Sequence, residues 1–331
     1  GACGIPGARP ADPARAALLR PGRVGRLRVV HTPLNVAGIP WTNVQALRRK
    51  GVDAKLVVVE RQKMHPEADV SLDRPTGLLR RQAVQWPAFL RLLPKTDVFH
   101  FYFGWTLVPR KATWPILKAT RRKSVLHFLG SDIRGRSPDE LRYARGADAR
   151  IVGSYDALRW VPDAEVIPPG LDLRQYEAPQ PEEHARPVVL HAPSSRRRKG
   201  TEHIVEACEG LEVELDIVEG LRHDDARRRY ERADIVVDQL NAGWYGIFAL
   251  EAMALGKPVL SYLLDEAGQH TERELGVDVP IIRVTKETLR ERIAELAASV
   301  EERQRIGALS RVYVERVHDS HKGADRLVEI Y

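Results

Sequence analysis

The 331-residue sequence predicts an α/β protein made of two Rossmann-like domains that face each other across a cleft. Apolar strand patterns and amphipathic helix patterns alternate from Arg26 onward, which is typical of parallel sheets. The alternation stops at 177–187, where three prolines and three glutamates occur without apolar periodicity, and it restarts at 188. A chain of this length is also too long for one typical core, so two domains are expected.

The N-terminal domain is expected at 26–176. Its first strand pattern covers 27–33, and Thr42 is expected to cap a helix that Gly51 ends. A second strand pattern at 52–60 completes a βαβ unit, which requires a parallel sheet. Further strand patterns lie at 97–102, 124–130, 148–154 and 164–172.

Residues 177–187 are predicted to be the linker and 188–331 the C-terminal domain, in which strand and helix patterns again alternate. The chain is helical in pattern from Thr288 to its last residue. This helical end is expected in the C-terminal domain, with packing of the last helix on the N-terminal domain as the alternative. Residues 1–25 are rich in Gly, Pro, Ala and Arg without periodicity, and we interpret them as a disordered arm or a cloning remnant.

Charge is divided unevenly along the chain. Residues 1–150 contain 28 Lys and Arg and 11 Asp and Glu, so their net charge is +17. Residues 151–331 contain 24 Lys and Arg and 34 Asp and Glu, so their net charge is −10. A basic half indicates an anionic ligand, a nucleic acid or an anionic membrane, and an Arg-rich composition without a partner is the alternative. No recognition motif supports nucleic acid, so it is not expected as a partner.

Cysteine content and hydropathy exclude two classes of protein. Cys3 and Cys208 are the only cysteines, too few for a disulfide framework or a cysteine-rich metal site. They favour a reducing compartment, and a cytoplasmic location is expected. No run of about 18 apolar residues occurs, so no transmembrane helix is expected.

A basic cluster within SSRRRKGTEHIVEA (194–207) lies between a strand pattern and a helix pattern. In parallel sheets ligands bind beyond the carboxyl ends of strands, and a helix N-terminus offers N–H groups to an anion. Arg196 to Lys199 add cations that suit phosphate oxygens. The cluster therefore indicates a diphosphate site, with a solvated charged turn as the alternative.

The stretch GWYGIFALEAMALGKPV (243–259) places one carboxylate, Glu251, in an otherwise apolar helix. An unpaired charge in a packed interior is costly, so Glu251 needs a partner. Glycines before the helix allow a ligand to approach the backbone, and a carboxylate accepts hydrogen bonds from vicinal hydroxyls such as those of a ribose. The two motifs together indicate a nucleotide or a nucleotide sugar. A buried arginine partner for Glu251 is the alternative.

The stretch at 243–259 resembles the signature helix of retaining nucleotide-sugar glycosyltransferases with the GT-B fold, of the family 4 type. HAPSSRRRKGTEHIVEA is similar to the phosphate-binding segment of that family, and VIPPGLD, HFLGSD and the final LVEIY resemble three further motifs. The resemblance implies the GT-B fold and transfer of a sugar from a nucleotide diphosphate donor, a UDP- or GDP-sugar, to an acceptor hydroxyl. It also implies retention of anomeric configuration without a metal or another cofactor.

The resemblance further implies roles for single residues on the donor side. Glu251 matches the glutamate that binds the donor ribose. Gly246, Ile247 and Phe248 match positions whose backbone N–H groups meet the donor phosphates. Lys199 matches the lysine that binds the diphosphate.

Three groups are expected to act on the reacting bond. The resemblance places His127 beside the transferred sugar, and a core histidine bonded to the backbone is the alternative. Lys199 and Arg196 are expected to stabilise the negative charge that develops on the leaving phosphate.

Two donor-side positions depart from the family pattern. The first glutamate of the signature falls at Gly243, and Asp238 or Asn241 is the expected substitute. The arginine that normally precedes the lysine is missing. Arg196 is the best replacement, with the next two arginines, up to Arg198, as rivals.

The basic N-terminal domain is the expected acceptor domain. Gly38, Asn35 and Asp132 are expected on the acceptor side, and an ion pair between Asp132 and Arg134 is the alternative. Segments 77–93 and 110–123 mix Trp and Leu with Arg or Lys, as interfacial helices do. They suggest peripheral attachment to the inner face of a membrane, and packing of their apolar residues on the sheet is the alternative.

A glycan or lipid-linked acceptor of the cell envelope follows from this attachment, as in polysaccharide biosynthesis. Two other functions remain open at this point. One is a sugar-nucleotide epimerase of the same fold, and the other is a non-catalytic protein that binds a sugar or a nucleotide.

Overall fold

The computed structural model describes residues 27–73, 77–177 and 184–331. The chain forms two compact units: the first contains the residues up to Gly170 together with Ser320–Tyr331, and the second contains Leu171–Asp319. The division therefore precedes the expected linker, and the last helix of the chain, Ser320–Ile330, is part of the first unit. The arm expected at 1–25 and most of the expected linker lie outside the described residues.

The first unit is built around a seven-stranded parallel sheet. Its strands β1 to β7 are Arg28–Thr32, Asp53–Val58, Val70–Ser71, Val98–Tyr102, Lys123–Phe128, Ala149–Val152 and Glu165–Val166. Their order is β3-β2-β1-β4-β5-β6-β7, which is a Rossmann order with one added strand. Each strand pattern expected in this unit is present, though shorter, and β3 is an addition.

Helices cover both faces of this sheet. Helices α1 to α3 are Ile39–Arg49, Leu78–Leu92 and Arg110–Ala119. Val44 of α1 and Leu327 of the C-terminal helix share an apolar cluster with Val29 of the sheet. Phe89 of α2 belongs to a second cluster with Phe99, which lies on the opposite face because side chains alternate along a strand.

Helix α1 begins earlier than the sequence predicts. Gly38 occupies the N-cap position with a φ of 71°, and Pro40 lies in the first turn. Proline suits this place because its fixed φ is helical and its missing N–H would have no partner there. Thr42 therefore lies inside the helix, and its expected role as the cap is wrong. Gly51, with a φ of 83°, follows the end of the helix as predicted.

The second unit contains a five-stranded parallel sheet in the order β12-β11-β10-β8-β9. Strands β8 to β12 are Val188–His191, Glu214–Ile217, Ile235–Val237, Val259–Ser261 and Ile282–Arg283. Helices α4 to α10 are Arg196–Lys199, Thr201–Cys208, His223–Glu231, Ile247–Ala254, Asp265–Leu275, Leu289–Ala298 and Val300–Val317. The strand order reverses between β8 and β10, and such a switch point is where α/β sheets bind ligands. None of the helices in the described ranges is both long and apolar enough to cross a membrane.

Candidate active site

The loops that follow β8 and β10 meet at the switch point of the second sheet. Lys199 follows β8, and its Nζ lies 2.6 Å from Oδ1 of Asp238, which follows β10. The Asp238 side chain is fully buried and also accepts a hydrogen bond from the backbone N–H of Gly246, 2.7 Å from Oδ2. A buried carboxylate with these two partners is compensated for the loss of water. Asp238 thereby holds the lysine ammonium beside the N-terminus of α7.

The N-terminus of α7 brings backbone donors close to this ammonium. A Cβ atom on Gly246 would lie 3.3 Å from Lys199 Nζ, so the absence of a side chain lets the lysine approach the helix end. The N–H of Gly246 is bound to Asp238, whereas the N–H groups of Ile247 and Phe248 donate to no residue in the described ranges. Two N–H groups at a helix N-terminus and one ammonium form a place that suits an anion.

Glu251 is held by two side chains that the sequence did not single out. Its Oε1 accepts hydrogen bonds from Tyr176 Oη at 2.9 Å and from His223 Nε2 at 2.6 Å. Within the described residues, Oε2 forms no hydrogen bond with a protein group. The carboxylate is therefore oriented through one oxygen, and its second oxygen remains an acceptor. The alternative of a buried arginine partner is wrong.

The two partners of Glu251 respond to its charge. Burial lowers the pKa of His223, but the hydrogen bond and the charge of Glu251 more than offset this, so that its pKa is raised. Burial and the charge of Glu251 both raise the pKa of Tyr176. His223 therefore tends toward the imidazolium form and Tyr176 stays a neutral donor, which stabilises the carboxylate in a buried position.

The Arg196 guanidinium is bound in an ion pair with a protein carboxylate. Its guanidinium donates through Nε and Nη2 to the carboxylate of Glu219, with the shortest distance 2.6 Å. Both side chains are more than a third exposed, so the pair is screened by water. The hydrogen bond from Arg196 lowers the pKa of Glu219. Arg198 is exposed on the same short helix.

The loop before α7 has a shape that admits no side chain at Gly243. This residue has a φ of 71°, and a Cβ atom there would lie 2.8 Å from Cγ of Leu264. Gln239, which is fully buried, holds the same loop: its Nε2 donates to the carbonyl oxygens of Trp244 and Tyr262, at 3.0 and 2.7 Å. The two residues expected to replace the glutamate missing at Gly243 differ in exposure. Asp238 is buried with Lys199, whereas Asn241 is exposed on the loop.

His127 lies in the first unit, on β5, within a buried group of aromatic side chains. Its Nδ1 is 3.2 Å from Nε2 of His100, and its ring stacks on Tyr102. Burial lowers the pKa of His127 to about 3, so the ring is neutral near pH 7. A neutral imidazole can donate or accept a hydrogen bond but does not provide a positive charge.

The loop after β1 contains two of the residues expected on the acceptor side. Asn35 is buried; its Nδ2 donates to the carbonyl oxygens of His65 and Glu67, and its Oδ1 accepts from the N–H of Trp41. Gly38 packs against His65, since a Cβ atom there would lie 3.0 Å from Nδ1 of that ring. Both residues thus shape this loop within the first unit.

Asp132 lies beside a pocket of the first unit and is not paired with Arg134. Its Oδ1 accepts a hydrogen bond from the N–H of Leu129 at 3.0 Å. Arg134 binds Asp156 at 3.0 Å, so the alternative of a structural ion pair between Asp132 and Arg134 is wrong. Burial raises the pKa of Asp132 to about 6, although hydrogen bonds from backbone N–H groups act in the opposite direction.

Sequence reasoning missed Tyr176, His223 and Gln239. His223 follows the carboxyl end of β9, so the strand-end rule was a signal that could have found it. Tyr176 had no such signal, because it reaches Glu251 across 75 positions of sequence. In the described ranges no group of three or more His, Cys, Asp or Glu is placed to hold a metal ion.

Similarity to known proteins is found in structure and not in sequence. No protein-family model matches the chain, and no curated protein was found as a relative. Sucrose-phosphate synthase from Thermosynechococcus elongatus is similar with a TM-score of 0.68 and 16% identity, over 92% of this chain and 98% of that one. HepE from Anabaena, in a complex with UDP and glucose, is similar with a TM-score of 0.65 and 15% identity, over 92% of this chain and 98% of that one.

A third similar structure belongs to a protein assigned as a UDP-N-acetylglucosamine 2-epimerase, from Listeria monocytogenes. Its TM-score is 0.55 at 13% identity, over 92% of this chain and 95% of that one. At such identities the similarity concerns the fold alone. The chain has the GT-B fold, with two Rossmann-like α/β units, as the sequence predicts.

Proposed function

We propose that this chain is a glycosyltransferase that transfers a sugar from a nucleotide diphosphate sugar to an acceptor hydroxyl. The observation that carries the proposal is the arrangement in the second unit, where the Glu251 carboxylate and the anion site of Lys199 and α7 belong to one switch point. A carboxylate acceptor suits the hydroxyls of a ribose, and the anion site suits a diphosphate. One ligand that carries both groups is a nucleoside diphosphate.

The proposed donor is a UDP-sugar. Support comes from HepE of Anabaena, a protein of the same fold whose structure contains UDP and glucose. A GDP-sugar remains the second candidate, because the residues described above contact a ribose and a diphosphate and do not select a base.

In the proposed reaction the bond between the anomeric carbon and the diphosphate oxygen breaks, and the acceptor oxygen bonds to that carbon. The acceptor proton leaves with the nucleoside diphosphate. Lys199 and the N–H groups of Ile247 and Phe248 would stabilise the negative charge that develops on the leaving phosphate, as preorganised donors do in oxyanion sites. The resemblance assigns His127 to the transferred sugar, and we propose that its neutral ring would bond a sugar hydroxyl. Retention of configuration and independence of a metal belong to this proposal.

A binding experiment with one variant and one matched control tests the donor site. Calorimetric titration with UDP, GDP and ADP compares the wild type, Glu251→Gln and Glu272→Gln. Glu272 is a partly buried glutamate of the same unit that binds Arg283. We expect Glu251→Gln to weaken UDP binding about 10- to 100-fold, because hydrogen bonds to a charged group contribute about 1.5–3 kcal/mol. Glu272→Gln should bind UDP as the wild type does.

Equal UDP affinity in the wild type and in Glu251→Gln would remove Glu251 from the site. Failure of the wild type to bind any of the three nucleotides would overturn the proposed function. Incubation of UDP-sugars without an acceptor, followed by NMR, distinguishes a glycosyltransferase from an epimerase. An epimer formed from the donor alone identifies an epimerase. Binding without turnover under any acceptor identifies a non-catalytic protein.

We also propose that the first unit attaches peripherally to the anionic inner face of a membrane and uses a lipid-linked or cell-envelope glycan acceptor. Helix α2 supports this, since three of its four leucines, Leu78, Leu79 and Leu90, are 71, 86 and 53% exposed. The helix carries three arginines and no acidic residue, which complements an anionic surface. Helix α3 does not share this feature, because Leu117 is buried and Trp114 packs in the core.

Flotation with anionic liposomes at low salt tests the attachment. The wild type should float with the vesicles, and the double variant Leu79→Ser and Arg80→Gln should lose most of this binding. Leu309→Ser is the matched control, because Leu309 is 50% exposed on α10 of the second unit. Wild-type protein that stays unbound at low salt, or equal flotation of all three proteins, would contradict attachment through α2.

A further inference from the structure

Glu251 receives both of its protein hydrogen bonds at one oxygen. Tyr176 Oη and His223 Nε2 lie 2.9 and 2.6 Å from Oε1. Oε2 has no partner among the described residues, and it is not sealed from solvent. A carboxylate oxygen accepts about two hydrogen bonds, so Oε1 is fully used. Oε2 is therefore the oxygen that can receive the two neighbouring hydroxyls of a ribose.

A ligand on Oε2 makes the charge of Glu251 more costly. The side chain is only 6% exposed, and a bound ribose would remove its remaining contact with water. A buried carboxylate needs a compensating charge and hydrogen bonds, because its desolvation is expensive. Tyr176 supplies a neutral hydrogen bond, whereas His223 supplies a positive charge when its imidazole is protonated. The two partners of Oε1 are therefore not equivalent.

Several groups act on the charge of His223. Burial lowers its pKa, whereas the hydrogen bond and the charge of Glu251 raise it; Asp224 raises it further and Arg227 lowers it. His223 is also the first residue of α6, where the helix N-terminus opposes a positive charge. The net result is a pKa above the ordinary 6.5. His223 therefore changes its charge at a pH above 6.5.

The other groups near the Glu251 carboxylate do not vary in this range. Burial raises the pKa of Tyr176 and of Tyr230, so both phenols stay neutral. Carboxyl and guanidinium groups ordinarily titrate far from neutral pH. Arg227, whose guanidinium lies 5.6 Å from the ring centre of Tyr176, adds a positive charge to the surroundings. Of these groups, His223 is the one that changes the charge around Glu251 near neutral pH.

We infer that His223, as an imidazolium, is a positioning residue of the donor site. It holds Oε1 of Glu251 and offsets the charge of that carboxylate, while Oε2 accepts hydrogen bonds from the ribose hydroxyls. This role rests on the proposed function, in which the donor is a nucleotide diphosphate sugar. The ribose hydroxyls are neutral and the diphosphate is an anion. Loss of the His223 proton therefore leaves the site more negative and weakens donor binding.

Proton binding at His223 and donor binding are thereby coupled. A donor that raises the pKa of His223 by about one unit binds about tenfold more weakly to the deprotonated site, because the coupling is reciprocal. The pKa of His223 in the free protein is already raised above 6.5. Donor affinity is therefore highest near pH 6 and falls as the pH rises past that raised value.

Calorimetric titrations of the full chain at pH 6.0, 7.5 and 8.5 test the inference. UDP-glucose and GDP-glucose are the probes, because a diphosphate esterified at both ends keeps its charge in this range, whereas a terminal phosphate has a second pKa of about 6. The wild type should bind one of them about tenfold more weakly at pH 8.5 than at pH 6.0. Titrations at pH 7.5 in buffers of different ionisation enthalpy should show proton uptake on binding.

His223→Gln keeps an N–H donor for Oε1 and removes the titrating charge. It should bind the sugar nucleotide with the same affinity at all three pH values, near that of the wild type at pH 8.5, and without proton uptake. Tyr176→Phe is the matched control, because it removes the other donor to the same oxygen. It should bind about two- to tenfold more weakly than the wild type at each pH and keep the pH dependence.

A wild-type affinity that is equal at the three pH values would overturn the inference. The same holds for a His223→Gln variant that keeps the wild-type pH dependence. NMR titration of the imidazole without nucleotide is an independent check: a His223 pKa that Glu251→Gln does not lower would contradict the coupling. Failure of the proposed function gives a different result, since neither sugar nucleotide then binds at any pH, and the role of His223 falls with the donor site.

Discussion

Gly243 occupies a backbone conformation that decides which residue this position can hold. With a φ of 71° it lies in the left-handed region, and a Cβ atom would approach Cγ of Leu264 to 2.8 Å. The glutamate that the resemblance leads one to expect here is therefore excluded by both the dihedral angle and the contact. The nearby carboxylate of Asp238 is already bound to Lys199 and to the N–H of Gly246. A sugar-binding carboxylate at the place of that glutamate is absent from the described part of this loop.

Gly243→Ala should lower the free energy of unfolding more than an equivalent change at a glycine with open surroundings. The left-handed conformation costs a non-glycine residue about 1–2 kcal/mol, and overpacking against Leu264 adds about 1–3 kcal/mol. Urea denaturation of the purified variants, followed by tryptophan fluorescence, measures this loss.

Gly220→Ala is the control for Gly243→Ala, because Gly220 has a φ of 70° and a Cβ atom there meets nothing within 4 Å. It should show only the conformational part of the loss. The double variant Gly243→Ala and Leu264→Ala should recover the part that comes from the contact. Equal losses at both glycines would show that Leu264 does not restrict this position.

At the scale of single residues, the sequence predicts those site residues that local spacing identifies. Lys199, Gly246 and Glu251 were singled out because each stands at a strand end or in a helix that follows one. The partners that orient Glu251 were not, since Tyr176 and His223 are distant in sequence and meet it only through the fold. A carboxylate in an apolar helix predicts that a partner exists but not which residue it is.

At the scale of elements, most strands of both sheets were predictable because buried parallel strands are short apolar runs between turn residues. The edge strands β3 and β12 were not, because each has two residues and neither of them is buried. Helix ends were less predictable: α1 starts at Ile39 because Gly38 takes a positive φ, a property that sequence spacing does not specify. Proline usually interrupts a helix, yet α2 continues through Pro87. Proline 87 is exposed, where the disturbed backbone groups can bind water.

The two basic segments show why composition alone did not separate an interfacial helix from a packed one. Helices α2 and α3 both mix Trp and Leu with Arg or Lys, and each contains one proline. In α3 the apolar residues fall on one face, and Leu117 reaches the core. In α2 only Phe89 is buried and Leu92 packs partly against the core, so Leu78, Leu79 and Leu90 remain exposed. The difference lies in which side chains of each helix face the sheet. That orientation depends on the fold and cannot be read from composition.

At the scale of the whole molecule, the described chain ends in the same unit in which it begins. The C-terminal helix packs with α1, and Tyr331 joins the buried group that contains His31, His100 and His127. Tyr331 Oη lies 2.6 Å from Nδ1 of His100 and 3.2 Å from Nε2 of His31. The first and last elements of the described chain are therefore linked by histidines that must remain neutral to stay buried.

This arrangement predicts that the protein loses stability as the pH falls below about 6.5, the ordinary pKa of histidine. Burial lowers the pKa of His31 and of His127 to about 3, and it lowers that of His100 well below its ordinary value. Below pH 6.5 the unfolded chain binds protons that the folded chain does not, so the free energy of unfolding falls with pH. Each such histidine contributes a slope of up to about 1.4 kcal/mol per pH unit until the folded pKa is reached.

Urea midpoints measured at pH 7.5, 6.5 and 5.5 test this prediction through a difference between variants, because carboxyl groups also titrate at the acid end. His127→Asn removes one titrating ring and should reduce the slope below pH 6.5 by up to about 1.4 kcal/mol per pH unit, whatever its effect on stability at pH 7.5. A slope that His127→Asn does not alter would mean that His127 is protonated in the folded protein, and that the buried group is not what limits stability in acid.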